Sequence, residues 1–336
     1  MRIFSFVAAA CLCTLTLAQI PVNGLALQKL MDEGHWKRVR QAVDGLLRAN
    51  PNDATTLCLA SKVQASFGNL EKALAYAERA ASIDGRNPEF LAQLAEIHGR
   101  LAGQVSLIKQ VSYVRQLKKE VETAFSINPK HLDTMLVDIM FLSKAPLLAG
   151  GDRKRAHSLA EELVKVDPAW GHLIEARLAE QERNDAQIER ALLKGVDARP
   201  QFYPTHFYLA KFYCCVSRSP RYDEAVRHAR AAIRLDPTQS GAYDILARVY
   251  AHEQHWTDLD AVLAESELKV PDDLSPYFQA ANMLFTQGQD FPRAERYLKK
   301  YLSQEPEGRQ PTVSQSRELL AALNAKGLHK GLEAGF

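Results

Sequence analysis

An all-α solenoid of about eight helix-turn-helix units, followed by a C-terminal capping helix, is the fold that this 336-residue sequence predicts. Two observations carry it. Residues 54–87, ATTLCLASKVQASFGNLEKALAYAERAASIDGRN, split into two amphipathic halves around a glycine, and the same 34-residue length returns in SGAYDILARVYAHEQHWTDLDAVLAESELKVPDD at 240–273. The second is a recurring ending, mostly at a proline: Pro51, Gly85, Pro129, Pro168, Pro200, Pro237, Pro271 and Pro306, spaced 34, 44, 39, 32, 37, 34 and 35 residues apart. Proline cannot continue the helix before it and fixes the start of the next, so each ending punctuates a unit.

The chain begins MRIFSFVAAACLCTLTLAQ, with one basic residue, an apolar stretch from Ile3 to Leu17 and a small-x-small ending at Ala18. Residues 1–18 read as a secretory signal peptide, too short to span a bilayer, which predicts an exported chain, periplasmic or extracellular. Cys11 after Ala8-Ala9-Ala10 offers a lipoprotein anchor as the alternative, against which the apolar run continues past Cys11. No later stretch is apolar for long enough to cross a membrane.

Residues 19–308 then hold the repeat array, with units near 21–53, 54–87, 88–131, 132–170, 171–202, 203–239, 240–273 and 274–308. In the second unit Leu57, Ala60, Ser61 and Gln64 form one helical stripe, Gly68 breaks it, and Leu70, Ala73, Ala77 and Ala80 form the next. Ser61, Ala73 and Ala80 are small where two helices would cross. In the fourth unit KAPLLAGGDRKRAHSLA, residues 144–160, raises the question of a phosphate loop. Ala156 stands twelve residues before Pro168, as Ala73 stands before Gly85 and Ala225 before Pro237, so Gly151 takes the place of Gly68 in the inter-helix turn and Asp152 caps the next helix. No strand precedes it and the G-x-x-x-x-G-K-[ST] spacing fails. Residues 309–336 give a capping helix from about Thr312 to Lys326, stopped by Gly327, and a tail.

The repeats resemble the tetratricopeptide repeat, with Tyr243, Leu246, Ala247, Tyr250, Trp256 and Pro271 at that family's marked offsets. The resemblance implies a right-handed superhelix whose first helices line a concave groove. The enlarged third and fourth units, with Pro146 and Gly150-Gly151-Asp152, are also similar to the periplasmic tetratricopeptide component of tripartite substrate-binding-protein-dependent (TRAP-type) transporters.

Chemistry is sparse. His252-Glu253-Gln254-His255 has a spacing of three where a zinc-protease helix needs H-E-x-x-H, and the ten histidines fall singly, so no metal, cofactor or catalytic set is assigned. Cys214 and Cys215 read as two small apolar fillers, and Cys58 stands alone. The formal net charge is +2, without a long single-sign block, which argues against nucleic acid.

Function is therefore assigned to recognition: a non-enzymatic scaffold that binds a peptide or partner protein, with a transporter accessory holding a solute-binding protein or small ligand as the alternative. Carried over from the family's offsets, the groove residues are Lys62 in the second unit, Phe207, Tyr208 and Lys211 in the sixth, Asp244, Arg248 and His252 in the seventh, and Phe278, Asn282 and Phe285 in the eighth. Asp138 lies in the apolar run Met135–Leu142, where an unpaired carboxylate is costly; it needs a partner such as Arg177, or else marks a ligand site.

Overall fold

The computed structural model describes residues 24–308 and 311–333; residues 1–18, read as the signal peptide, lie outside them. Among the described residues the secondary structure is helical, with no strand. Antiparallel pairs follow one another: α1 (Gly24–Glu33) with α2 (Trp36–Ala49), α3 (Ala54–Ser66) with α4 (Leu70–Ile83), α5 (Pro88–Ala102) with α6 (Leu107–Ile127), and α7 (Leu132–Lys144) with α8 (Arg153–Val166). They continue as α9 (Pro168–Gln181) with α10 (Asp185–Ala198), α11 (Tyr203–Lys211) with α12 (Tyr222–Leu235), α13 (Ser240–Glu253) with α14 (Trp256–Lys269), and α15 (Ser275–Gln287) with α16 (Phe291–Tyr301). The last element is α17 (Val313–Glu333).

The position twelve residues before each ending explains the pairing. Val39, Ala73, Leu117, Ala156, Ile188, Ala225, Leu259 and Ala294 occupy it, and all eight are buried. Half of them are alanine, which lets paired helices approach where a larger side chain would hold them apart. The tightest approach is between consecutive pairs: a Cβ placed on Gly171 of α9 would lie 2.5 Å from the Cα of Val164 in α8.

Two elements differ from the sequence expectation. Helix α9 begins at Pro168, inside the stretch assigned to the fourth unit, because Asp167 accepts the Trp170 N–H at 3.1 Å and proline suits the first helical position. Helix α17 runs through Gly327 to Glu333, past the stop placed at Lys326. A glycine inside a helix costs only about 1 kcal/mol, so it ends a helix where C-cap geometry is met rather than wherever it occurs.

The turn at 145–152 is a corner, as expected, with one shift of role. Gly150, not Gly151, adopts the left-handed conformation, at φ 93°. Gly151 is required for a different reason: its Cβ would lie 1.8 Å from the carbonyl oxygen of Ala145. Asp152 caps α8 by accepting the Arg155 N–H at 3.0 Å.

First helices pack on one another along the array, α3 on α5, α5 on α7, α9 on α11, α11 on α13 and α13 on α15, and no comparable packing joins second helices. The first helices therefore lie on the inside of the bend. The bend is large enough that the last pair returns to the first. Arg40 forms a double hydrogen bond with Glu305 at 3.0 and 2.6 Å, Arg38 meets Asp272 at 2.8 Å, and the Lys37 N–H donates to Glu307 at 2.8 Å. Gly308 sits against Ser66 and Phe67, with Arg40 over the Phe67 ring at 4.2 Å.

Gly171→Ala puts a methyl group into the α8–α9 crossing, and we expect it to destabilise the array by about 1–3 kcal/mol, seen as a lower urea or thermal midpoint. An unchanged midpoint would mean that α8 and α9 are not in this close contact.

Candidate inner-wall binding site

The inner wall changes character along its length. In the first half Lys62 of α3 is already engaged, with its Nζ 2.9 Å from Glu89 of α5. Beside it, burial pushes the Cys58 thiol up to about 12, so this cysteine is packing and not a nucleophile.

In the second half aromatic and cationic groups converge. Tyr208 of α11 accepts a hydrogen bond from Arg177 of α9 at 3.3 Å, and Lys211 lies over the same ring at 5.8 Å. Phe207 stacks on Tyr203 with centroids 5.9 Å apart and bears on Gly241 of α13, where an added Cβ would be 2.8 Å from its ring. Only glycine at 241 leaves Phe207 that place. One turn apart on α13, Asp244 and Arg248 are half-buried. Burial, with the Asp273 carboxylate next, holds the Asp244 carboxyl well above the usual carboxylate range, and its Oδ1 has no hydrogen-bond partner. His252, a further turn on, lies 4.5 Å from the Tyr222 ring, and its Nδ1 is likewise without a partner.

The eighth pair is arranged differently. Phe278 and Asn282 line a shallow cavity of about 490 Å³ whose other wall, Gln315, Glu318, Leu319 and Ala322, belongs to α17. Phe285 turns toward Phe291 of α16, with centroids 6.5 Å apart. The capping helix thus shares the end of the wall.

Asp138 does not join this surface. It faces α8, its Oδ2 3.7 Å from Arg155, and burial raises its carboxyl above the ordinary range. The partner is Arg155 and not Arg177, because α8 packs directly on α7 while Arg177 turns to Tyr208. A cavity of about 560 Å³ opens on the other face of α7, lined by Leu117, Leu136, Val137, Met140 and Phe141 among α5, α6 and α7. Its signal in the sequence was the long spacing from Gly85 to Pro129.

The adjacent cysteines also differ from expectation. Cys214 and Cys215 are disulfide-linked, and the helix there opens into a π turn at Phe212–Val216. Such a turn adds a residue to the helical circuit, which changes the facing of everything after it.

Asp244 yields a pH prediction. Its pKa is raised in the folded chain, so the native state holds the proton more tightly than the unfolded one and stability falls as pH rises from the ordinary aspartate range, about 3.9, toward neutrality. Asp244→Asn should raise the thermal midpoint at pH 7, with the gain vanishing near pH 4. A variant less stable than the parent at pH 7 would show the carboxylate to be favourably paired.

No family model matches the chain, and no curated protein matches it. Solved structures do. Yeast Tom70 superposes with a TM-score of 0.57 at 12% identity, over 89% of this chain and 60% of Tom70, so the chain spans under two thirds of that protein. A human IFIT1 dimer with PPP-AAAA gives 0.51 at 17% identity, over 91% of this chain and 74% of the other, and a human IFIT1 dimer with m7Gppp-AAAA gives 0.51 at 17%, over 90% and 72%. Identities this low speak to architecture alone: the chain has the right-handed tetratricopeptide-repeat solenoid fold that its sequence resembles.

Proposed function

We propose that the chain is an exported, non-enzymatic scaffold that binds an extended peptide or partner-protein segment along the second half of its inner wall. One observation carries the reading: Phe207, Tyr208, Arg177 and Lys211 converge on neighbouring first helices, with Arg248 half-buried on the next. Half-buried aromatics give apolar contact area at little entropic cost, and the cations select a ligand with acidic side chains. Peptide and not nucleic acid is the class assigned, because the formal net charge is only +2 and Glu180 lies among Arg177, Tyr208 and Lys211. The Ile3–Leu17 run supports export.

A second reading is favoured by the cavity among α5, α6 and α7, whose apolar walls and volume of about 560 Å³ suit a small apolar ligand. It corresponds to the transporter-accessory alternative, in which the captured protein would be a solute-binding protein.

The test is crosslinking of the full-length chain in intact cells of its own host, followed by purification and mass spectrometry. Lys211→Glu with Arg248→Glu is the control, chosen because Phe207 and Tyr208 also pack the core. We expect one main partner, recovered about tenfold less or lower with the reversed charges. Equal recovery from both forms would remove the second half of the wall as the site.

A further inference from the structure

The closure of the array brings together three residues far apart in sequence. His35 precedes α2, Asp272 follows α14 and Glu307 follows α16, and one ligand atom of each lies within 4.8 Å of the others. His35 is 2% exposed and Glu307 5%. Glu307 Oε1 finds no hydrogen-bond partner, and neither does Nε2 of His35, whose Nδ1 lies 3.1 Å from Asp272 Oδ2. Such atoms are costly in a protein interior unless a bound group completes them.

Several charged groups surround the cluster. Its carboxylates are Asp272, Glu307 and Glu33, whose Oε2 lies 3.7 Å from His35 Nε2. The cations within reach are Arg38, 2.8 Å from Asp272, Lys37, 3.7 Å from Glu307 Oε1, and Lys29, 3.4 Å from Glu33 Oε1. Lys37 Nζ already donates to the carbonyl oxygens of Asp272 and Glu305, so it meets Glu307 only at a distance. Three carboxylates and an imidazole gather in a place nearly closed to water, and none of these cations hydrogen-bonds Glu307 Oε1.

We propose that His35, Asp272 and Glu307 bind one divalent ion of the zinc class, which staples the first helix pair to the last. An imidazole nitrogen and two carboxylate oxygens leave one position for water in a tetrahedral set, and imidazole favours zinc over magnesium or calcium. Neighbouring groups hold the ligands in place: the Lys37 N–H fixes one oxygen of Glu307 at 2.8 Å, and Arg38, whose side chain is half-exposed, steadies Asp272 through both its oxygens. The ion completes the unpartnered Glu307 oxygen and joins two ends that are otherwise held by surface ion pairs, each worth little. Metal binding here is a property of the closed array.

The test uses the metal-stripped full-length chain titrated with zinc sulfate in a calorimeter. One ion per chain should bind, the thermal midpoint should rise with zinc, and Asp272→Asn and Glu307→Gln should each weaken binding by about tenfold or more. Glutamine at 307 still accepts the Lys37 N–H, and circular dichroism verifies that each variant keeps its helices. Cobalt in place of zinc should give weak visible bands without a thiolate charge-transfer band, which separates this site from Cys58 and from Cys214 and Cys215. Failure of the parent chain to bind zinc, a thiolate signature, or zinc binding by folded variants at parental affinity would each overturn the proposal.

Discussion

Close approach of helices at small side chains is the constraint on which the rest of this structure depends. Ala73, Ala156, Ala225 and Ala294 set the spacing inside their pairs, and Gly171 lets the fifth pair lie directly on the fourth. With first helices packed on one another and no comparable packing between second helices, the chain bends from pair to pair. The accumulated bend returns the last pair to the first. The inner wall, its curvature and the contacts of Arg38, Arg40 and Lys37 with the last loops are consequences of that spacing, which no single surface residue controls.

A wall built in this way is rigid before any ligand arrives, which is the physical advantage of a solenoid for recognition: little ordering entropy is left to lose on binding. The wall is not uniform. Its first half is self-paired through Lys62 and Glu89, while in its second half Asp244 Oδ1 and His252 Nδ1 have no hydrogen-bond partner among the described residues. The third pair departs from the regular spacing through the long α6, and the cavity beside Phe141 follows from that departure. The two irregular features of the array, that cavity and the π turn at Phe212–Val216, both lie on or beside first helices.

Much of the fold was legible because it is local. The endings, the Gly68 break and the alanine stripe each act within one pair, so a linear reading reaches them, and Asp152 as a cap could be read from register alone. That Phe207, Tyr208 and Lys211 share one first helix was equally readable from the repeat offset. What was not legible depends on the summed bend. That Arg177 would choose Tyr208 and leave Asp138 to Arg155 depends on how two neighbouring pairs dock. That His35 would meet Asp272 and Glu307 depends on the accumulated rotation of all the pairs between them, which no motif encodes. The histidines do fall singly in the sequence, and the fold supplies the company that spacing could not reveal.

Closure is the central claim, and zero-length carbodiimide crosslinking of the monomeric chain tests it most directly. Lys37 lies within reach of Glu307, at 3.7 Å, and an intramolecular Lys37–Glu307 isopeptide bond, identified by mass spectrometry in the monomer fraction, is the result predicted. Absence of any link between residues 35–40 and 305–307, or its confinement to dimers, would contradict a closed array and leave the solenoid open-ended.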